Sequence, residues 1–245
     1  MSRNIKLIIA YDGTDFCGWQ RQEKERTVQG VIEKALEKMH GRHVDLNGAG
    51  RTDSGVHAAG QTANFYTDIA SIPPERFAPA LNSLLEHDVR VLEASEANDD
   101  FHARFSAKAR VYRYQFICRP LLPHETRYNL HLHRFPRLGL LNAYGRLLLG
   151  ETDCSIFAGA GETCKSKNRR VFSAIFYMEK NTLLFEIRAN AFLRNMVRSV
   201  AGTFLHYEET AAEPEKLREI IARGERSQAG PTLPPQGLFL QKVEY

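Results

Sequence analysis

No apolar run in the 245-residue sequence approaches the roughly 20 residues that a transmembrane helix requires. The N-terminus also lacks the apolar core of a secretory signal peptide, so we expect a cytoplasmic protein. Low-complexity stretches are absent. The four cysteines form no C-x-x-C pair and show no spacing typical of zinc ligands, so we predict reduced packing thiols.

The composition indicates a globular protein without strong charge bias. Hydrophobic residues make up 43% and charged residues 25% of the chain, which permits a substantial core in one large domain or two smaller ones. The net charge of +4 is compatible with a polyanionic partner, but it does not require one, because net charge says nothing about clustering.

Hydrophobic periodicity predicts two groups of strands and helices. In the first group, we expect a helix capped by Thr27 and ended by Gly41, and a second helix from Pro74 with Phe77, Leu81, Leu84 and Leu85 as its buried stripe. Strands are predicted at residues 5–11, 44–46, 61–66, 89–92 and 108–118. The second group contains helices at 140–149, 192–207 and 214–223 and strands at 171–178, 183–189 and 238–243, the first two of them forming a hairpin.

The segment 119–136 is rich in proline and histidine and separates the two groups. We therefore predict two similar halves, residues 1–118 and residues 119–245. Their strand and helix content implies an α+β fold with a mostly antiparallel mixed sheet and helices packed on it.

A glycine-rich stretch, residues 47–60, carries the side chains Arg51 and Asp53 among small residues. Glycine allows turned backbone that can approach a ligand or another strand closely. A solvated Arg51–Asp53 ion pair of little energetic value is the alternative interpretation. The stretch has neither the Gly-Lys-Ser/Thr of a phosphate-binding loop nor a serine nucleophile elbow.

Two further segments combine basic and aromatic residues. In residues 100–114, strand alternation places Arg110, Tyr112 and Tyr114 on one face, which suits phosphate contacts and base stacking, although a half-buried structural strand has the same pattern. In residues 188–198, Arg194 and Arg198 are spaced four apart on the predicted helix. These two residues would suit a solvated basic face; alternatively, because Arg198 lies near the apolar stripe, it is partly buried and needs a carboxylate partner.

Several motifs in one order resemble the TruA-type tRNA pseudouridine synthases. The most specific is Gly50-Arg-Thr-Asp-Ser-Gly-Val-His-Ala58. The supporting matches are Tyr11-Asp-Gly-Thr14, Gly18-Trp-Gln-Arg21, Phe101-His-Ala-Arg-Phe-Ser-Ala107, Tyr112-Arg-Tyr114, Ala189-Asn-Ala-Phe-Leu-Arg-Asn-Met-Val-Arg198 and Gly237-Leu-Phe-Leu240. The family often has His-Asp-Phe-x-x-Phe where this chain has Thr152-Asp-Cys-Ser-Ile-Phe157, and the insert at residues 158–167 has no counterpart that we can match.

The resemblance implies an isomerase that converts uridine to pseudouridine at positions 38, 39 and 40 of the tRNA anticodon stem-loop. It implies that Asp53 is the catalytic aspartate, that Arg198 pairs with it, that Tyr112 contacts the target base, and that Arg51 takes part in flipping the uridine. It further implies a homodimer, no metal or organic cofactor, and an active-site cleft between the halves.

Two other functions remain open from the residues alone. The basic and aromatic segments would also suit a non-catalytic RNA-binding module or tRNA chaperone. A carboxylate-based glycosidase or nucleosidase would need a second acid besides Asp53, for which Asp99 and Asp100 are the candidates by motif.

Overall fold

A computed structural model describes residues 2–245, which form ten β-strands and five α-helices. Contacts within the chain divide it into two compact units. The first unit contains the residues up to Lys108 together with Phe239–Tyr245, and the second unit is Ala109–Leu238. The predicted α+β class is confirmed, since both units combine helices with a mostly antiparallel sheet. The sequence-based division at 118/119 differs from this one in the boundary and in the return of the last strand.

Along the chain, the helices and strands of the first unit precede those of the second, except for the last strand. The first unit has β1 Arg3–Tyr11, α1 Val28–His40, β2 Asn47–Gly48, β3 His57–Thr67, α2 Phe77–Asn82 and β4 Val89–Ala97. The second unit has β5 Ala109–Ile117, β6 Leu130–His131, α3 Leu138–Arg146, β7 Gly150–Asp153, β8 Asn168–Glu179, β9 Thr182–Ala189, α4 Met196–Glu209 and α5 Pro214–Arg223. The last strand, β10 Leu238–Glu244, belongs to the first unit from Phe239 onward.

The sheet of the first unit has the strand order β4-β1-β3-β10, and β2 pairs with β3. Strand β1 is antiparallel to β3 and β4, whereas β10 runs parallel to β3. Ile5 pairs with Phe65 and Leu7 with Ala63, so these apolar side chains share one sheet face. Phe77 of α2 packs edge-on against Phe65 with ring centroids 5.5 Å apart. That face is therefore the helix-covered core of the unit.

The start and end of α1 follow the sequence signals. The Thr27 hydroxyl accepts a hydrogen bond from the Gly30 N–H at 3.3 Å, as an N-cap residue does. Gly41 adopts a left-handed conformation (φ 68°) just beyond the last turn, and its N–H donates to the Glu37 carbonyl. The predicted helix is confirmed at both ends because all of these contacts are local.

The sheet of the second unit has the strand order β5-β9-β8-β7, with β6 parallel to β5. Strands β8 and β9 form the predicted hairpin. Phe176 and Phe185 stack on its inner face, with ring centroids 4.4 Å apart, and Phe204 of α4 packs against both. Helix α4 thus covers the face that also carries Tyr112 and Tyr114 of β5, since Tyr114 pairs with Phe185 across the strands.

Some boundaries differ from the sequence-based prediction for tertiary reasons. The second helix ends at Asn82, so Leu84 and Leu85 lie outside it, because the Asn82 side chain hydrogen-bonds both the N–H and the carbonyl of Val91 at 2.8 Å. The strand predicted at 44–46 is wrong: the pairing begins at Asn47 instead. The short strands β6 and β7 have no counterpart in the sequence-based prediction.

Helix α4 begins at Met196, four residues after the predicted start, so Arg194 does not share a helix face with Arg198. The Arg194 carbonyl accepts a hydrogen bond from Gly159 and its N–H donates to Glu162, which hold the preceding residues outside the helix. In residues 2–245, none of the helices has the length and hydrophobicity of a membrane span.

Candidate active site

Residues 49–56, which we call the arginine–aspartate loop, connect β2 to β3 in the first unit. Their backbone is held by the segment that follows β1. The Trp19 N–H donates to the Thr52 carbonyl at 3.2 Å, and the Gly55 N–H donates to the Phe16 carbonyl at 3.2 Å. Within the loop, the Val56 N–H donates to the Asp53 carbonyl at 3.1 Å. The main chain on both sides of Asp53 is therefore fixed.

Two glycines make this close approach possible. Gly18 has a φ of +84°, and a Cβ atom there would lie 2.6 Å from the Thr52 carbonyl oxygen. A Cβ atom at Gly48 would lie 2.4 Å from Nε1 of the buried Trp19. Any larger residue at either position would displace backbone or the indole ring. Gly18 therefore packs directly against the arginine–aspartate loop, and Trp19 packs against Gly48 just before it.

A buried hydroxyl pair anchors the residue before Asp53. The Tyr11 hydroxyl lies 2.8 Å from Thr52 Oγ1, and both side chains are buried. Burial raises the pKa of Tyr11 far above its usual range, against the opposing effect of the hydrogen bonds from Thr52 and Gln61. Tyr11 thus stays a neutral phenol, which holds Thr52 without adding a charge next to Asp53.

The structure places the two charged residues of the loop differently. Arg51 is exposed, whereas Asp53 is partly buried. Downstream of the loop, His57 has no exposed surface: its Nδ1 accepts a hydrogen bond from the Gly13 N–H at 3.0 Å, and its ring stacks on Phe239 at 4.7 Å. His57 therefore serves to pack the end of the loop against β10.

Tyr112 lies in β5 of the second unit, where it pairs with Ile187 of β9. Its ring is buried and meets Phe192 edge-on, with centroids 5.0 Å apart. Tyr114, two residues later on the same face, donates its hydroxyl proton to the Pro234 carbonyl. Burial raises the pKa of Tyr114 well above its usual range, and the nearby Arg198 charge opposes that shift.

Arg198 lies in the first turn of α4 and is held by two neighbours. Its Nε donates to the Leu233 carbonyl at 2.6 Å, and its Nη1 donates to Asn195 Oδ1 at 3.0 Å. The Leu233 N–H in turn donates to the Arg198 carbonyl. Asn195 adopts a left-handed conformation (φ 59°), which costs energy for a residue with a side chain and marks a constrained position.

The structure thus brings Arg51 and Asp53 together in one loop of the first unit, and Tyr112 and Arg198 to one face of the second unit. Sequence reasoning did not find the residues that orient them. Thr52 is oriented by Tyr11, 41 positions away, and Arg198 by Leu233, 35 positions away. The Tyr11-Asp-Gly and Leu-Pro-Pro stretches were visible in the sequence, but nothing local pairs them with these partners.

One group of side chains could be mistaken for a metal site. The ligand atoms of Glu33, His43 and Asp45 lie within 4.8 Å of one another. However, Glu33 already accepts hydrogen bonds from Gln29 and the Leu46 N–H on one oxygen, and from Arg21 at 3.0 Å on the other. Arg21 Nη1 also lies 3.2 Å from His43 Nε2. The arginine supplies the positive charge there, so we assign the group a structural role.

Comparisons with known proteins agree on one family. A family model described as tRNA pseudouridine synthase matches residues 7–106 and 145–245. The tRNA pseudouridine synthase A of Treponema denticola is 49% identical over 249 residues, which cover 99% of this chain and 93% of the relative. Proteins of the same name from Treponema pallidum strain Nichols and Caldicellulosiruptor saccharolyticus are 46% and 43% identical, covering 94% and 99% of this chain and 84% and 100% of the relatives. The chain therefore belongs to the tRNA pseudouridine synthase family, whose members are isomerases acting on uridine in tRNA.

Proposed function

We propose that this chain isomerises the uridines at positions 38, 39 and 40 of the tRNA anticodon stem-loop, with Asp53 as the essential carboxylate. The observation that carries the proposal is the arginine–aspartate loop. Its backbone is fixed on both sides of Asp53 by Trp19 and Phe16. A catalytic group must be held in its reacting geometry before the substrate arrives, and such a fixed loop meets that requirement.

The reaction needs no redox step. The bond from C1′ of the ribose to N1 of the base breaks, the base turns, and C1′ bonds to C5. C5 then loses its proton and N1 gains one, so substrate and product have the same atoms. An aspartate carboxylate can act as the nucleophile at C1′ or C6, or can deprotonate the sugar, and all three routes require it to be ionised.

The other three residues have distinct proposed roles. Arg51 is exposed, which suits an insertion into the space that the flipped uridine leaves. Tyr112 offers an aromatic face and a hydroxyl for the target base and for the proton that leaves C5. Arg198, fixed by Leu233 and Asn195, supplies a positive charge that favours the ionised form of a catalytic carboxylate.

Replacing Asp53 with Asn tests the proposal. We expect Asp53→Asn to stop the release of tritium from C5-labelled uridine in tRNA while RNA binding is preserved. The control is Asp99→Asn, which removes the exposed carboxylate considered for a glycosidase and should leave tritium release unchanged. Continued turnover by Asp53→Asn would refute the proposal.

The reaction products distinguish a pseudouridine synthase from a glycosidase and from a non-catalytic RNA-binding module. A glycosidase would liberate free uracil, whereas a synthase leaves an isomerised base attached to the RNA. A binding module without catalytic activity would give neither product, and its affinity would fall steeply with salt. Mapping pseudouridine in tRNA from cells with and without the protein would test the assignment to positions 38, 39 and 40.

We also propose that the chain acts as a homodimer in the cytoplasm, since its substrate is tRNA and the family it resembles is dimeric. Sedimentation equilibrium that returns only the monomer mass would refute the dimer. Cell fractionation tests the location.

A further inference from the structure

Phe105 has the largest exposed fraction of any large apolar side chain in residues 2–245, at 75%. It lies in the turn of residues 102–106, which we call the aromatic turn. Its ring centroid is 4.4 Å from that of His102, and the Arg104 guanidinium carbon lies 5.7 Å from it. An apolar ring left in water adds little to folding stability, so packing does not explain this position.

The backbone of the aromatic turn is closed by its own hydrogen bonds. The Ser106 N–H donates to the His102 carbonyl at 2.9 Å, and the His102 N–H donates to Ser106 Oγ at 3.1 Å. The Arg104 N–H donates to His102 Nδ1 at 3.1 Å, which also fixes the imidazole ring. The turn therefore holds the backbone of Phe105 in a defined place and sets the His102 ring beside its side chain.

A buried polar network fastens the turn to the sheet. Ala103 is fully buried; its N–H donates to Asn64 Oδ1 at 2.9 Å, and its carbonyl accepts from the Tyr245 hydroxyl at 2.8 Å. Asn64 donates in turn to Asn4 Oδ1, and the Asn4 amide donates to the Phe101 carbonyl. Buried networks whose members are satisfied make a region rigid.

We propose that the aromatic turn is a base-stacking site for an unpaired nucleotide of the bound tRNA, with Phe105 as the stacking ring and His102 as the ring behind it. This rests on the proposed function in taking RNA as the ligand. Aromatic rings that accept unstacked bases are a common means of binding single-stranded RNA. Because the backbone that carries Phe105 is already fixed, stacking a base on its ring orders the side chain only, which keeps the entropy cost low.

The charges around the turn favour stacking over phosphate attraction. The basic residues Arg104 and Lys108 are exposed there, and the acidic residues Asp99 and Asp100 are exposed just before it. These charges nearly balance, so the turn has no strong field of its own. Phosphate contacts make the affinity for RNA fall as the salt concentration rises, whereas base stacking adds affinity that does not depend on salt. Removing the Phe105 ring should therefore weaken binding without changing the salt dependence.

The experiment compares Phe105→Ala with Phe135→Ala, which removes another exposed phenylalanine from the second unit. Binding of an unmodified tRNA transcript is measured by filter binding at several salt concentrations. We expect Phe105→Ala to raise Kd roughly 5- to 100-fold with the same salt slope, because one base stack is lost. Phe135→Ala should bind normally and keep the wild-type kcat and KM, whereas Phe105→Ala should raise KM for tRNA along with Kd.

A second variant, Phe105→Trp, reports stacking of a base on residue 105 directly through its fluorescence. Trp19 is the chain's single tryptophan and is only 2% exposed, so a tryptophan introduced by Phe105→Trp would dominate any change in fluorescence on binding. We expect tRNA to quench this fluorescence and Phe105→Trp to retain the wild-type Kd.

Three results would overturn the proposal: an unchanged Kd for Phe105→Ala, an equal loss for Phe135→Ala, or Phe105→Trp fluorescence that follows protein concentration and not tRNA. The last would show a contact between copies of this chain. Turnover by Asp53→Asn is a separate readout, so failure of the proposed function would be distinguishable from failure of the stacking site.

Discussion

Replacing Gly18 with Ala should disturb the arginine–aspartate loop from outside it. The added Cβ atom would lie 2.6 Å from the Thr52 carbonyl oxygen, which is backbone and cannot rotate away. The substitution also places a side chain at φ +84°, which costs about 1–2 kcal/mol. Gly41→Ala is the matched control, because Gly41 has a φ of +68° with nothing within 4 Å of the added atom.

The difference between the two variants isolates the contact with the loop. Both introduce left-handed strain and both restrict the unfolded chain equally, so these effects cancel. Gly18→Ala must in addition move Thr52 and weaken its 3.2 Å hydrogen bond from the Trp19 N–H, which costs roughly 0.5–1.5 kcal/mol. We therefore expect Gly18→Ala to unfold in urea with a free energy about 0.5–1.5 kcal/mol lower than that of Gly41→Ala.

The effect on turnover should be larger than the effect on stability. Asp53 follows Thr52 directly, and a displacement of about 1 Å in a catalytic group can reduce the rate about 100-fold. The tritium-release assay should show kcat lowered by at least about tenfold in Gly18→Ala and unchanged in Gly41→Ala. If both variants have the same unfolding free energy and the same kcat, the loop does not depend on this contact and the reasoning is wrong.

Two further predictions concern the second unit. Burial would raise the pKa of Glu208, but hydrogen bonds from Arg134 and Arg137 outweigh this effect and lower the pKa to about 2. The stability that Glu208 contributes should therefore be complete above about pH 4.5 and be lost as the pH falls towards 2. In urea titrations, Glu208→Gln should remove this part of the pH dependence and lower the free energy of unfolding by about 2–4 kcal/mol near neutral pH. Tyr112→Phe keeps the ring contact with Phe192 and removes only the hydroxyl, so we expect the tritium-release assay to show a lower kcat while filter binding shows little change in tRNA affinity; an unchanged kcat would contradict a catalytic role for the hydroxyl.

The parts of the fold that were predicted correctly depend on neighbours in the sequence. Helix α1 has its cap at Thr27 and its end at Gly41, and both signals act within one turn of the chain. The start of α4 depends on Gly159 and Glu162, which belong to the insert that no motif covered. Such long-range hydrogen bonds do not affect the hydrophobic periodicity, so the sequence pattern predicts a helix start four residues too early.

The same distinction between local and long-range contacts applies to the candidate site. Asp53 and Arg51 stand out in the sequence because the loop contains few other functional side chains. The partner of the Thr52 hydroxyl and the carbonyl that orients Arg198 are long-range contacts to ordinary-looking residues, Tyr11 and Leu233. A sequence pattern can therefore name the chemical groups of this loop, whereas the atoms that fix their geometry emerge only from the fold.

The return of β10 to the first unit has a consequence for synthesis on the ribosome. Phe239 stacks on His57 at the end of the arginine–aspartate loop, and the Tyr245 hydroxyl closes the network behind Ala103. Neither contact exists until residues 239–245 have left the exit tunnel, after the whole second unit has been translated. The nascent first unit thus lacks these two contacts during elongation, and an abortive chain that stops within the second unit never packs His57, next to the arginine–aspartate loop, against β10.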